Sequence, residues 1–243
     1  MATAAALVII FLAAIVRGYS GFGFSLIAIT GLALIYPVSS IVPAIFLMEI
    51  AATIHMLPSI WKDIHWRSLL PLIIGCLIAT PLGLMALSYV SPQNMQIALS
   101  IFVLAAVALM FKGFKLNAVP GTAAAIAAGG SAGFCNGAFG IAGPPVILFY
   151  FSSPAGNAVG RASIAAFFFF TDVIGLSYAT PMGLLSMDTL WRAALFLPAL
   201  LAGVCVGSRS FKSADQEQFR RGMLLLLAFM ALLLFGKALW PAG

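Results

Sequence analysis

The sequence predicts an all-α polytopic membrane protein made of two inverted repeats, each a re-entrant broken-helix hairpin followed by three transmembrane helices. Three observations predict it. The chain is 63% hydrophobic with 7% charged residues, whereas a soluble domain carries about 25% charge. Six apolar stretches have about the 20 residues a helix needs to cross the hydrocarbon core. Two further apolar stretches are interrupted by glycines, at matching places in the two halves of the chain. Bare lipid cannot satisfy the backbone groups such a break frees, so protein, water or a ligand must supply partners.

The net charge of +6 belongs to membrane orientation rather than to nucleic acid, because basic residues of a membrane protein set its topology. The segment from Met1 to Arg17 lacks a basic n-region and is not read as a cleaved signal peptide. Cys76, Cys135 and Cys205 lie apart in apolar stretches. Their spacing suggests neither a metal site nor a disulfide frame, and no cofactor is expected.

In chain order, the first repeat (1–115) holds a broken segment over 4–36 and spans over 41–60, 68–89 and 93–111. The second (116–243) holds a broken segment over 119–151 and spans over 159–180, 190–208 and 219–239, with Pro37, Pro92 and Pro120 punctuating connections. A continuous helix over either broken segment would be about 50 Å long, against a core of about 30 Å. Each half, of about 11–14 residues, is too short to cross. A hairpin of two half-helices satisfies both constraints. The halves also share landmarks in the same order: Asp63-Ile-His-Trp-Arg67 with Asp188-Thr-Leu-Trp-Arg192, Glu49 and Pro58 with Asp172 and Pro181, and Gly18-Tyr-Ser-Gly21 with Phe134-Cys-Asn-Gly137. Ordered self-similarity of this kind predicts an internal duplication. Asp63 and Asp188 read as helix caps, and the adjacent Trp66 and Trp191 as interfacial anchors.

Charge tests the hairpins. If each broken segment crossed once, the basic residues would split six against five. If both return to their own side, Lys62, Arg67, Lys112, Lys115, Arg161, Arg209, Lys212, Arg220 and Arg221 share one face, and only Arg192 and Lys237 lie opposite. The positive-inside rule selects the second arrangement. It puts both termini outside, inverts the halves relative to one another, and makes the polar loop 207–221 cytoplasmic.

The breaks suggest an anion site. The second half-helices begin near Gly23–Ser25 and Gly143–Pro145, and each N-terminus brings free N–H donors and about half a positive charge to the midplane. Interrupted helices at matching positions of two halves point to a transporter's binding site. The candidate substrate-binding set is Arg17, Gly18, Ser20, Gly21, Gly23, Ser25, Asn136, Gly137, Gly140, Gly143 and Pro144, with Ser131 a further donor. Pro144 and Pro145 suit a helix start. The glycines would let backbone approach a ligand, or else allow close helix packing. Arg17 would pair with the substrate, or with Glu49 or Asp172. Glu49 and Asp172, the acidic residues inside full spans, are candidate proton carriers with His55 as relay; they would otherwise accept hydrogen bonds at the breaks, and His55 would be a helix histidine matched by Tyr178.

Gly18-Tyr-Ser-Gly-Phe-Gly23 in the first apolar segment and Gly137-Ala-Phe-Gly-Ile-Ala-Gly-Pro-Pro145 at mid-chain resemble the paired breaks of the sulfite exporter family, the TauE/SafE-type permeases. The resemblance covers nearly the whole chain, with Phe22 and Phe24 where the family often has small residues. It implies a cell-membrane secondary transporter of the bacterial inner-membrane type, acting on sulfite, sulfonates or related organosulfur anions, with the bilayer, a small anion and protons as its partners. A passive anion channel or a non-transporting scaffold is the alternative. A rhomboid-like serine protease using Ser20 would need a histidine base in reach, and only His55 and His65 exist. The chain is therefore expected not to be an enzyme.

Overall fold

The computed structural model describes residues 2–112, 121–151, 157–210 and 216–240. These residues are helical, with no strand among them. In order they form α1 (Ala2–Ser20), α2 (Phe24–Leu32), α3 (Val38–Ile60), a 3-10 turn (Trp61–Asp63), α4 (Trp66–Tyr89) and α5 (Pro92–Lys112). There follow α6 (Thr122–Phe139), α7 (Gly143–Phe151), α8 (Asn157–Ala179), α9 (Met187–Ser210) and α10 (Gln216–Leu239). The six expected spans correspond to α3, α4, α5, α8, α9 and α10. Among the described residues six helices, α1, α4, α5, α8, α9 and α10, are long and apolar enough to cross a membrane, whereas the apolar stretch of α3 is shorter, Val38–Ile54. Apolar side chains such as Ile78 and Leu82 on α4 and Leu225, Phe229 and Leu232 on α10 face outward, as lipid-facing surfaces must. Trp61, Trp191 and Trp240, all exposed, stand at or near helix ends, where amphipathic rings sit at the headgroup level.

The broken segments depart from expectation in length. α1 has 19 residues and α6 has 18, but of the two only α1 is also apolar enough to cross; α2 and α7, at 9 each, are half-helices. Gly129, Gly130, Gly133 and Gly137 do not interrupt α6. Three of them lie against α4: a Cβ on Gly129 would fall on Leu72, one on Gly133 on Cys76, and one on Gly137 on the Thr80 carbonyl. Small residues let membrane helices approach backbone to backbone, and that is what they do here. The capping expectation also changes. Asp63 lies in the 3-10 turn, and α4 starts from His65 with no side-chain cap. At α9 the cap is Ser186, whose Oγ accepts from the Thr189 N–H at 3.2 Å.

Glycine contacts fix how the long helices lie. Along α1, Phe11 and Ile15 meet Gly203 and Gly207 of α9, so the two run parallel; along α6, Ile126 and Phe134 meet Gly75 and Gly83 of α4, again parallel. Gly18 faces the Val204 carbonyl of α9, and Gly137 the Thr80 carbonyl of α4. Each long broken-segment helix thus packs on a helix from the other half of the chain. α3 and α8 meet at the centre, and α5 packs on α10.

The end of α2 is tied to helices from far along the chain. Gln96 Nε2 donates to the Ala33 carbonyl at 3.0 Å and Lys237 Nζ to the Leu34 carbonyl at 2.7 Å. Arg192 lies 4.9 Å from the Tyr36 ring centroid and donates to Ser40 Oγ at 3.3 Å. Gln96 and Lys237 thus serve carbonyls at the helix end, which has no intrahelical partner for them. The end of α7 is tied to the start of α4, where Tyr150 Oη and Ser68 Oγ are 3.0 Å apart. The start of α8 meets the same place, the His65 N–H donating to Ser163 Oγ at 3.0 Å.

Candidate functional site: a buried charged centre at the helix breaks

α1 and α6 end alike. Gly21 (φ 81°) and Gly140 (φ 68°) take the left-handed conformation, which glycine adopts without a Cβ penalty. The Gly21 N–H donates to the Arg17 carbonyl and the Gly140 N–H to the Asn136 carbonyl, both at 2.7 Å. Three residues after each of these glycines the short helix begins, α2 at Phe24 and α7 at Gly143. Gly21 therefore matches Gly140, and Gly18-Tyr-Ser-Gly21 matches Gly137-Ala-Phe-Gly140. The expected partner, Phe134-Cys-Asn-Gly137, lies one turn earlier, inside α6. In this register Arg17 matches Asn136.

Those two side chains reach the two midspan carboxylates. Arg17 is fully buried, and its Nη1 lies 2.5 Å from Glu49 Oε2. Arg17 Nη2 donates to Thr53 Oγ1 at 2.7 Å, and the guanidinium carbon stands 5.8 Å from the Phe168 ring centroid. Of the partners weighed for Arg17, Glu49 is the one it meets here. The N–H and hydroxyl of Ser25, in the first turn of α2, face the same carboxylate without a hydrogen bond of good geometry. Across the centre, Asn136 Nδ2 donates to Asp172 Oδ1 at 3.1 Å and to the Thr171 carbonyl at 3.3 Å. Asp172 lies within electrostatic reach of Glu49 and Arg17. All these groups are buried.

The two half-helix starts are unequal. The first intrahelical bond of α2 runs from the Ile27 N–H to the Gly23 carbonyl, at 3.2 Å, so Phe24, Ser25 and Leu26 carry N–H groups with no partner inside the helix. In α7 the second and third positions are Pro144 and Pro145, which have no N–H to offer. The donor-rich end is the one that faces Glu49.

The remaining candidates fall as follows. Gly23 begins α2 in a left-handed conformation, φ 92°. Gly18 and Gly137 lie in the helix contacts described above, and Ser131 is exposed and bonds back to its own helix. The side chains of Ser20 and His55 lie outside the described residues. Thr53, Thr171 and Phe168 were not singled out from the sequence. The signal for two of them was present: Thr53 is four residues after Glu49, and Phe168 four before Asp172, and such pairs share a helix face.

A bundle of apolar helices, broken at two matching glycines around a buried ion pair and a second carboxylate, defines an integral membrane protein with a charged centre. The chain belongs to a transporter family: the model of "Sulfite exporter TauE/SafE" matches it over residues 6–234. One relative is a Cupriavidus necator protein named "Probable sulfite/organosulfonate exporter TauE", 24% identical over 216 residues, which cover 85% of this chain and 84% of that one. No solved structure matches.

Proposed function

We propose that this protein is a secondary transporter that exports small sulfur-containing anions, such as sulfite or organosulfonates, across a bacterial-type inner membrane by alternating access around a midplane site. The observation that carries the proposal is the buried Arg17–Glu49 pair at the α2 N-terminus, facing Asp172. A cation and free N–H donors in an apolar bundle suit an oxyanion, and intramembrane carboxylates mark ion or proton pathways. Glu49 and Asp172 are the carriers of the coupled proton. The family match, and the name of the C. necator relative, support the substrate class.

The repeats 1–115 and 116–243 are inverted and their broken segments re-entrant. Several contacts support this. α1 runs parallel to α9, so Ala2 and Met187 share a side. Lys237, at the far end of α10, bonds to Leu34, and Arg192, near the start of α9, bonds to Ser40. The α1–α2 segment therefore leaves and returns on one side. α3, about 35 Å long, then crosses to the side of His65, Ser163 and Tyr150. There α6 starts, parallel to α4, and α7 ends. Alternating access would follow from one repeat rocking against the other, as in other inverted-repeat transporters.

The test is flux in proteoliposomes. Wild-type protein is expected to carry sulfite or methanesulfonate in response to an imposed pH gradient, and Asp172→Asn, still inserted and folded, to lose the response to the gradient. Flux no greater than in empty liposomes would overturn the proposal.

A further inference from the structure

We propose that Glu49 is a tethered substitute for the transported anion: its carboxylate occupies the seat at Arg17 and the α2 N-terminus, and the anion enters by taking its place. The inference rests on the transport function proposed above and adds a competitor and a charge rule to it.

The seat has more donors than the carboxylate uses. Arg17 Nη1 lies 2.5 Å from Glu49 Oε2, but Arg17 Nε, fully buried, has no hydrogen-bond partner, and neither Glu49 oxygen accepts a hydrogen bond of good geometry. The Ser25 N–H and hydroxyl face the carboxylate, in the same turn as the N–H groups of Phe24 and Leu26, which have no partner inside the helix. Buried donors ordinarily find acceptors. A sulfonate head presents three oxygens where a carboxylate presents two. It can therefore meet Arg17 Nε, Arg17 Nη1 and the helix start together. The matching position in the second repeat cannot do this, because Asn136 carries no charge and Pro144 and Pro145 no N–H.

Charge then selects among anions. Arg17 is the only buried basic side chain among the described residues, and the charged groups that act on Glu49 are Arg17 of α1 and Asp172 of α8. When a monoanion displaces Glu49, a proton taken from solution onto the freed carboxylate keeps the buried charge constant. A dianion would leave one extra buried negative charge beside Asp172, and unpaired buried charge is costly. The seat therefore takes sulfonates and hydrogen sulfite in preference to sulfate.

The experiment is binding of methanesulfonate and sulfate to the purified full-length protein, followed by thermal stabilisation and by proton uptake in weak buffer. If Glu49 holds the seat at least about nine-tenths of the time, Glu49→Gln binds methanesulfonate about tenfold tighter or more. Wild type takes up protons on binding and Glu49→Gln does not, and sulfate binds wild type more weakly than methanesulfonate does. Should Glu49→Gln fail to fold, Glu49→Asp keeps the charge but withdraws the carboxylate by one methylene, and it is expected to bind severalfold tighter than wild type. If wild type binds methanesulfonate and the folded variants bind it no more tightly, Glu49 is not in the seat and the inference is overturned. If folded wild type and Glu49→Gln both fail to bind, the transport function itself is overturned and the inference goes with it.

Discussion

Arg17 and Asn136 stand at the same register, four residues before the glycine that ends their helices, yet one is charged and the other is not. That difference makes the centre lopsided: a cation and a carboxylate on the α1–α3 side, an amide and a carboxylate on the α6–α8 side. Thr53 anchors the charged half, since Arg17 Nη2 donates to its hydroxyl. A hydrogen bond to a charged group contributes about 1.5–3 kcal/mol. Thr53→Val should lower stability by that amount, read as a fall in the melting temperature of the purified protein, while Thr53→Ser stays near wild type. A loss in Thr53→Ser with none in Thr53→Val would show that the methyl group, not the hydroxyl, is what Thr53 supplies. At this scale the sequence was readable where chemistry is costly. Arg17, Glu49 and Asp172 stand out because a charge in an apolar span needs a reason. Their partners were not readable, because 36 residues separate Arg17 from Thr53 and no local spacing announces the contact.

Helix bounds were legible because polar residues and prolines punctuate the spans; α5, for instance, begins on Pro92. The lengths of α1 and α6 were not, because glycine has two uses that look alike in a sequence. Gly21, Gly23 and Gly140 end or begin helices with positive φ. Gly129, Gly133 and Gly137 keep ordinary helical geometry and make room for α4. Only the partner backbone tells the two apart. The distinction can be tested on two glycines inside helices. A Cβ on Gly207 would meet the Ile15 carbonyl, whereas one on Gly236 meets nothing within 4 Å. Gly207→Val should force α9 away from α1 and cost about 1–3 kcal/mol or more, as overpacked contacts do. Gly236→Ala should be neutral or add about 0.5–1 kcal/mol. Melting temperatures of the two purified variants decide it.

For the whole molecule, the proposed topology places Lys62, Arg67, Lys112 and Arg209 on the cytoplasmic face and both termini on the other. A phosphatase reporter that is active only outside the cytoplasm should therefore be active when fused to either end. An inactive fusion at the N-terminus with an active one at the C-terminus would mean that a broken segment crosses the membrane. The exchange of packing partners between halves has a consequence for biosynthesis. α1 emerges from the ribosome first, but the helix it rests on, α9, begins only at Met187. At about 5–20 residues per second, α1 waits roughly 10–40 s with the face that carries Gly18 unmatched. Until α9 arrives, the nascent protein holds an open seam that the insertion machinery or lipid must cover. Truncation anywhere before α9 should leave that seam exposed to membrane quality-control proteases.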